Sequence, residues 1–507
     1  MSQNHKQPAT LHGERREDDG RPLSISARLG RLQFHHSGKF RLLQITDIQE
    51  GPKVSPDTVR LIAAACDVAR PDLVVFTGNQ VAGYDTAYER TFRKRRWSTP
   101  LDGVYSAGMS MTNWVGNALG FGEGEGRKGQ EAVQAPPSAP SGSTGPRRTL
   151  PPSRTSGGAR NPQPLSGDSD AQLQELKHTG DLVRRTVEQI TAPLVDRGIP
   201  FAVTYGNHDF QCGLDTDSLD AIYREVPGCL NPEATAARPD RPRRLPAASL
   251  PDQVAYACEP GTFALPVADT EGEGAVLGLV LLDSGDYARS GGYGWPSSQA
   301  LDFLAQAPAL VGNRSMVFQH MPIPQFYDLL KAVPSTTAYA VQGYRRYDSQ
   351  CYLLDESRTL PGSYLGEGVS CPDEDSGEFS ILRRDGGYFA LFAGHDHRNA
   401  FVGEDQGLTL GATPTGGFGS YGPVPKKRAA RLFEFDIRHP HNPRTQLLEF
   451  GDLVGRPSTH KVYTYAMSYV PTSTGDAVNL LRKPKFLAGG LATLAGIIAS
   501  WGSSRKH

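Results

Sequence analysis

Two histidines one residue apart, His395 and His397, flank Asp396 directly after an apolar run, and a Gly206-Asn-His-Asp209 turn follows another. In an extended stretch alternate side chains share a face, so both imidazoles of His395-x-His397 can enter one pocket. Asp47 and His320 likewise end apolar runs, at residues 41–46 and 315–318. Asp47, Asn207, His320, His395 and His397 together make a mixed oxygen and imidazole set of the kind that accepts Fe, Mn or Zn. A lone histidine at a strand end is more often a packed structural residue, but His-x-His combined with Gly-Asn-His-Asp resists that explanation. The chemistry such a set serves is hydrolysis of phosphate esters, where two cations about 3.5–4 Å apart activate water and offset phosphoryl charge.

Strands must bring these residues together. Residues 41–46 form a short apolar run that delivers Asp47, and Ser55-Pro56 opens a helix with Ser as cap and Pro in the first turn. Val59, Ile62, Ala63 and Cys66 give that helix one apolar face, and residues 72–77 form the next strand, entering Gly78-Asn79. Strand, helix and strand in this order predict a βαβ unit. A helical pattern returns at Leu176, Val183, Val187, Ile190 and Leu194, before a strand at 199–204. Further core strands are expected at 275–282, 315–318 and 388–392, each running into Asp, His or Gly-His. Open α/β sheets place their chemistry at such strand ends.

The rest of the 507 residues is less densely packed in character: 38% are hydrophobic, with 56 Gly and 39 Pro. Residues 1–37 read as a disordered leader without an apolar signal segment. Residues 98–170 read as a low-complexity insert, and 231–249 as a smaller one rich in Pro and Arg. A C-terminal extension covers 451–482. The tail at 483–507 holds a 16-residue uncharged run between basic flanks. At about 24 Å as a helix it falls short of a hydrocarbon core of about 30 Å, so a flexible tail is expected, with a membrane anchor as the alternative. With 53 basic against 54 acidic side chains, the formal net charge of -1 supplies no field for nucleic-acid binding. Six scattered cysteines without a CxxC pair favour a reduced, cytoplasmic chain.

The motif order resembles the calcineurin-like metallophosphoesterase superfamily, whose pattern runs D-x-H, G-D, G-N-H-D/E, His, G-H-x-H. Here it reads Asp47-Ile-Gln49, Gly78-Asn79, Gly206-Asn-His-Asp209, His320 and Gly394-His-Asp-His397. It is most similar to the branch related to purple acid phosphatases, through Leu282-Asp-Ser-Gly-Asp-Tyr287, Tyr293-Gly-Trp295 and Gly416-Gly-Phe-Gly419. The resemblance covers residues 40–450 and implies an α/β, four-layer αββα sandwich over a domain at 38–450. It implies two divalent or trivalent metal ions. Asp47, His397 and position 49 would serve one, and Asn207, His320 and His395 the other, with position 79 as the bridge. His208 would act on the leaving group, oriented by Asp209, and a metal-bound hydroxide would attack a phosphorylated substrate.

Two ligand positions depart from the pattern. Gln49 stands for a histidine and exchanges an imidazole for a weaker amide, which tunes the site. Asn79 stands for the bridging carboxylate. Two dications about 3.5 Å apart repel by roughly 19 kcal/mol at an effective dielectric near 20, an illustrative figure, and the lost bridge normally offsets part of that. Weak occupancy of one site follows, and a weakened or inactive binding or regulatory protein is the alternative function. Glu50, Asp283 and Asp286 are the nearby carboxylates able to compensate. Gly416-Gly-Phe-Gly-Ser-Tyr-Gly422 lacks the Lys of a P-loop and reads as a turn near the site mouth. Arg93 to Arg96 reads as a solvated basic run, and Tyr344, Arg345 and Arg346 as candidates for the substrate entrance.

Overall fold

In the computed structural model the described residues are 21–93, 170–234, 240–245, 250–312 and 314–458, with Thr464 and Ser468. A short helix α1 (Ile25–Leu29) precedes β1 (Lys39–Ile45), α2 (Pro56–Ala69), β2 (Leu73–Thr77), α3 (Asp170–Val195) and β3 (Phe201–Thr204). Helix α4 (Thr216–Arg224) leads to β4 (Arg243–Arg244), β5 (Val254–Glu259), β6 (Thr262–Ala268) and β7 (Ala275–Leu282). Next come α5 (Ser298–Leu310), β8 (Ser315–Gln319), β9 (Leu330–Val333), β10 (Val341–Gln342), β11 (Cys351–Leu354) and α6 (Glu378–Arg383). The last elements are β12 (Tyr388–Ala393), β13 (Val402–Asp405), β14 (Leu408–Ala412), β15 (Ala429–Asp436), β16 (Arg444–Glu449) and α7 (Phe450–Leu453).

Among the described residues one sheet runs β16-β15-β1-β2-β3 and another β13-β14-β12-β8-β7-β6-β5-β4, with a small sheet β10-β11-β9 beside them. Strands β1, β2 and β3 are parallel, and so are β7, β8, β12 and β14. Each parallel set therefore ends on one side, and the loops there hold the histidine and carboxylate motifs. The two large sheets bury a shared core of Leu42, Val75, Phe263, Leu279, Phe318 and Phe392. A second core lies between the first sheet and α2, α3 and α4, and a third between the second sheet and α5 and α6. The result is the four-layer αββα arrangement, with each sheet covered on both faces, which is why its parallel strands read as unbroken apolar runs.

Local signals act as expected at several places. The Ser55 hydroxyl accepts the Asp57 N–H at the start of α2, and Pro56 fills the first turn. Residues 21–37, in contrast, belong to the fold and not to a leader. Asp72, fully buried, accepts the Ser26 N–H at 3.0 Å, the Arg41 N–H at 2.9 Å and His35 Nε2 at 2.8 Å. Phe34 packs in the inter-sheet core. The smaller insert also contributes structure, since β4, inside 231–249, pairs with β5 beyond it. The remainder of the leader, residues 98–169 of the first insert and the apolar tail lie outside the described residues, while Asp170 opens α3. None of the six cysteines forms a disulfide. No helix of the described residues is long and apolar enough to cross a membrane.

Asp72→Ala strands three donors that the N-terminal segment depends on. It should cost about 3 kcal/mol, read as a lower urea midpoint; an unchanged midpoint would show that the segment is held by apolar packing alone.

Candidate metal centre

Every ligand-position residue sits just past the C-terminal end of a parallel strand: Asp47 and Gln49 after β1, Asn79 after β2, Asn207 and His208 after β3, His320 after β8, and His395 and His397 after β12. Sharp turns aim them inward. Asp47, Gln49, Asn79 and His395 all have positive φ, between 44° and 69°, although none is glycine. Such strain in four side chains of one site is a mark of function. Cross-sheet contacts then close the site: the His395 N–H reaches Asp47 Oδ2 at 2.7 Å, and His320 Nδ1 donates to the Thr77 carbonyl at 2.9 Å.

The first half of the site is ready for a cation. Donation by Nδ1 fixes the His320 tautomer and leaves a lone pair on Nε2, which stands 3.2 Å from both Asn207 Oδ1 and His395 Nδ1. Atoms sharing one cation at about 2.1 Å stand roughly 3.0–3.4 Å apart. Burial pushes His320 down and His395 well down from the usual imidazole range, so both rings are neutral. His395 Nε2 is buried without a hydrogen-bond partner. Neutral imidazoles and an amide oxygen facing one another at this spacing fit a metal ion.

The second half does not. His397 Nδ1 donates to the Tyr421 carbonyl at 2.7 Å, leaving Nε2 as the acceptor, 3.3 Å from Asp47 Oδ1. That lone pair is already taken: Gln49 Nε2 donates to it at 2.9 Å, while Tyr84 Oη donates to Gln49 Oε1 at 2.8 Å and fixes the amide. Asn79 does the same across the middle. Its Nδ2 donates to Asp47 Oδ1 at 3.1 Å and to Asn207 Oδ1 at 3.2 Å. Flipping it is blocked because Asn79 Oδ1 accepts the His208 N–H at 2.8 Å. Both altered positions thus present N–H groups where a metal pair requires lone pairs. A bridged two-metal centre does not fit this chain.

Burial raises Asp47, but His320, His397 and His395 beside it outweigh that and hold the carboxyl well below its usual range. Asp209 is not the orienting group for His208. Its carboxylate accepts the N–H groups of Asn79 at 2.7 Å, Gly206 at 2.8 Å and Val81 at 2.9 Å, and so shapes the turn that carries Asn79. Gln211 Oε1 faces His208 Nδ1 at 2.9 Å, and burial brings that imidazole down to about 4. Glu50, a candidate compensating carboxylate, accepts from Thr58, the Ser55 N–H and the Phe418 N–H. Asp283 and Asp286 accept the N–H groups of Gly285 and Tyr287 in their own turn.

The glycine-rich loop at 416–422 backs the site. The Tyr421 ring lies on His397 with centroids 4.2 Å apart and planes 8° from parallel. A Cβ at Gly417 would come within 1.7 Å of the Ile48 carbonyl oxygen, so only glycine allows the approach. Buried Arg428 donates to the carbonyls of Gly417 and Ser420 and ties the loop down. Tyr84 and Gln211 are site residues that motif reading missed, and Tyr421 was read only as part of its loop, because their contacts with Gln49, His208 and His397 follow no motif spacing.

No family model matches the chain. Among curated proteins it is similar to "Probable inactive purple acid phosphatase 14" of Arabidopsis thaliana, 24% identical over 282 residues, covering 54% of this chain and 62% of that one. It is also similar to "Probable inactive purple acid phosphatase 29" of the same plant, 25% identical over 275 residues, covering 50% and 60%. Both relatives carry purple acid phosphatase names, the branch whose motifs the sequence resembles. The chain spans about three fifths of the length of those relatives. Solved structures similar to it include a dimetal phosphatase from Danio rerio, at 10% identity and a TM-score of 0.35 over 81% of this chain and 99% of that one. PhoD is similar at 9% identity and a TM-score of 0.37, over 82% and 69%.

Metal content separates the two halves. Wild-type protein equilibrated with Mn²⁺ and desalted should keep about one ion per chain, and the Asn79→Asp, Gln49→His double variant about two. Two ions retained by the wild type would contradict the donor arrangement around Asn79.

Proposed function

We propose that the protein binds phosphate esters beside His208, His320, His395 and Asn207, and hydrolyses them slowly with one well-held cation. A cation there supplies charge to offset the phosphoryl oxygens. The chain itself supplies the neutral imidazoles that hold it, the His208 ring against the departing oxygen, and the Tyr84 and Gln211 contacts that position that ring. Tyr84 meets His208 edge-on, with centroids 5.1 Å apart. The observation that carries this reading is Asn79 Nδ2, which donates to Asp47 Oδ1 and Asn207 Oδ1 together. An aspartate at that position would keep the His208 N–H contact and turn a lone pair, not a proton, toward the two ligands.

A phosphate-ester-binding protein without turnover is the second reading. It is favoured by the same amide and by the word inactive in the names of both curated relatives.

Asn79→Asp should raise kcat/KM for an aryl phosphate in Mn²⁺ by about a hundredfold, and His208→Ala in that background should remove the gain. If neither the wild type nor Asn79→Asp exceeds His208→Ala, the hydrolase reading fails and the binding reading stands. A wild type already as fast as Asn79→Asp would show that the amide does not limit the chemistry.

A further inference from the structure

A buried carboxyl outside the metal centre lacks partners. Glu378 opens α6 and is 2% exposed, yet its Oε1 has no hydrogen-bond partner, and no Lys, Arg or His beside it offsets its charge. Its polar neighbour is the Gln319 side chain. Gln319 Nε2 is committed to the Met321 carbonyl at 2.8 Å, and Gln319 Oε1 is buried without a donor. Turning that amide over would set its oxygen against the Met321 carbonyl. The two side chains line a small cavity with Trp295, Pro296, Met321 and Pro372, which leaves room for about one water.

The cavity backs onto the site. Gln319 ends β8, and His320 follows it directly. Side chains alternate along an extended chain, so Gln319 and Met321 face the cavity while His320 between them faces the metal centre. The Met321 N–H donates to Ser284 Oγ at 2.8 Å, which ties this segment to the loop after β7, another wall of the cavity. The titratable groups around Glu378 are Glu374 on the cavity wall, Asp375 in the same loop and Tyr388 on β12; none is a cation. Asp375 accepts from Gln325 Nε2 at 2.8 Å, and the Tyr388 hydroxyl donates to the Leu304 carbonyl at 2.6 Å, so neither supplies Glu378 with a hydrogen.

Two buried neighbouring acceptors without a donor are costly, and a proton on Glu378 serves both. We propose that Glu378 is held as the neutral acid, donating to Gln319 Oε1, and that its ionisation is a pH-sensitive device that loosens the segment carrying His320. Burial agrees, pushing the carboxyl from the ordinary 4.5 up to about 8, with the Asp375 carboxylate adding to the rise. Loss of the proton sets a buried carboxylate against Gln319 Oε1 and draws water into the cavity. The effect on the site rests on the cation reading of Asn207, His320 and His395; the neutral acid does not.

The test compares the full-length wild type with Glu378→Gln, whose amide keeps the shape and the donor but cannot ionise. From about pH 5.5 to about pH 7.5 the fold keeps the proton and the unfolded chain does not, so wild-type stability falls as pH rises. In urea titrations its folding constant should drop relative to Glu378→Gln by about tenfold per pH unit. Mn²⁺ affinity, read by electron paramagnetic resonance, should match in the two proteins near about pH 7 and be about tenfold weaker in the wild type near about pH 9. Parallel stability curves overturn the proposal: the carboxyl is then ionised in the fold, with a water supplying the hydrogens. Divergent stability with equal Mn²⁺ affinity at both pH values keeps the acid and overturns its coupling to the site. A chain that binds no Mn²⁺ at either pH fails the cation reading, and the coupling with it, while the urea curves still decide the acid. Glu378→Met, neutral and of similar length, replaces Glu378→Gln if that variant does not fold.

Discussion

The carboxylate of Asp47 joins the two halves of this molecule. It is fully buried at the end of β1, takes the Thr46 hydroxyl and the His395 N–H on one oxygen, and takes Asn79 Nδ2 on the other. His395 comes from the opposite sheet. A buried anion is tolerated only when donors surround it, so the loops after β1, β2 and β12 must converge for the sandwich to close at this end. The positive φ values at Asp47, Asn79 and His395 are the local strain that this convergence imposes.

That constraint explains why the fold survives a change at its centre. In a bridged metal site, cations would satisfy the lone pairs of Asp47, Asn207 and His397. Here amide protons from Asn79 and Gln49 satisfy them. Amide donors neutralise less charge than dications, but they also remove the repulsion between two dications, so the loops can pack without a metal pair. The cost falls on chemistry and not on architecture. The half built from Asn207, His320 and His395 still turns an amide oxygen and two ring nitrogens toward one point, an arrangement that suits a cation.

Around this centre the supporting contacts come from long-range partners. Tyr421 and the Gly417 loop orient His397, and Thr77 orients His320 from the other sheet. Gln211 faces the His208 ring, and Asp209 holds the turn beneath Asn79. Carbonyls and amides that fix imidazole tautomers leave the rings preorganised.

The sequence by itself determined the order of the strands, their apolar character and the identity of the ligand-type residues. Those depend on local pattern: unbroken apolar runs for strands buried on both faces, Ser-Pro for the start of α2, and His-x-His after β12. It also exposed the missing bridge, through the resemblance, which implies a carboxylate where Asn79 stands. Tertiary structure decided which way each amide turns. Asn79 faces its ligands with protons because His208 N–H, 129 positions away, claims its oxygen, and Gln49 does so because of Tyr84. The role of Asp209 and the inclusion of residues 21–37 through Asp72 were likewise fixed by contacts between distant segments. A hydrogen bond between residues far apart in the chain leaves no periodicity to read; only the packed sheets bring its two ends within reach.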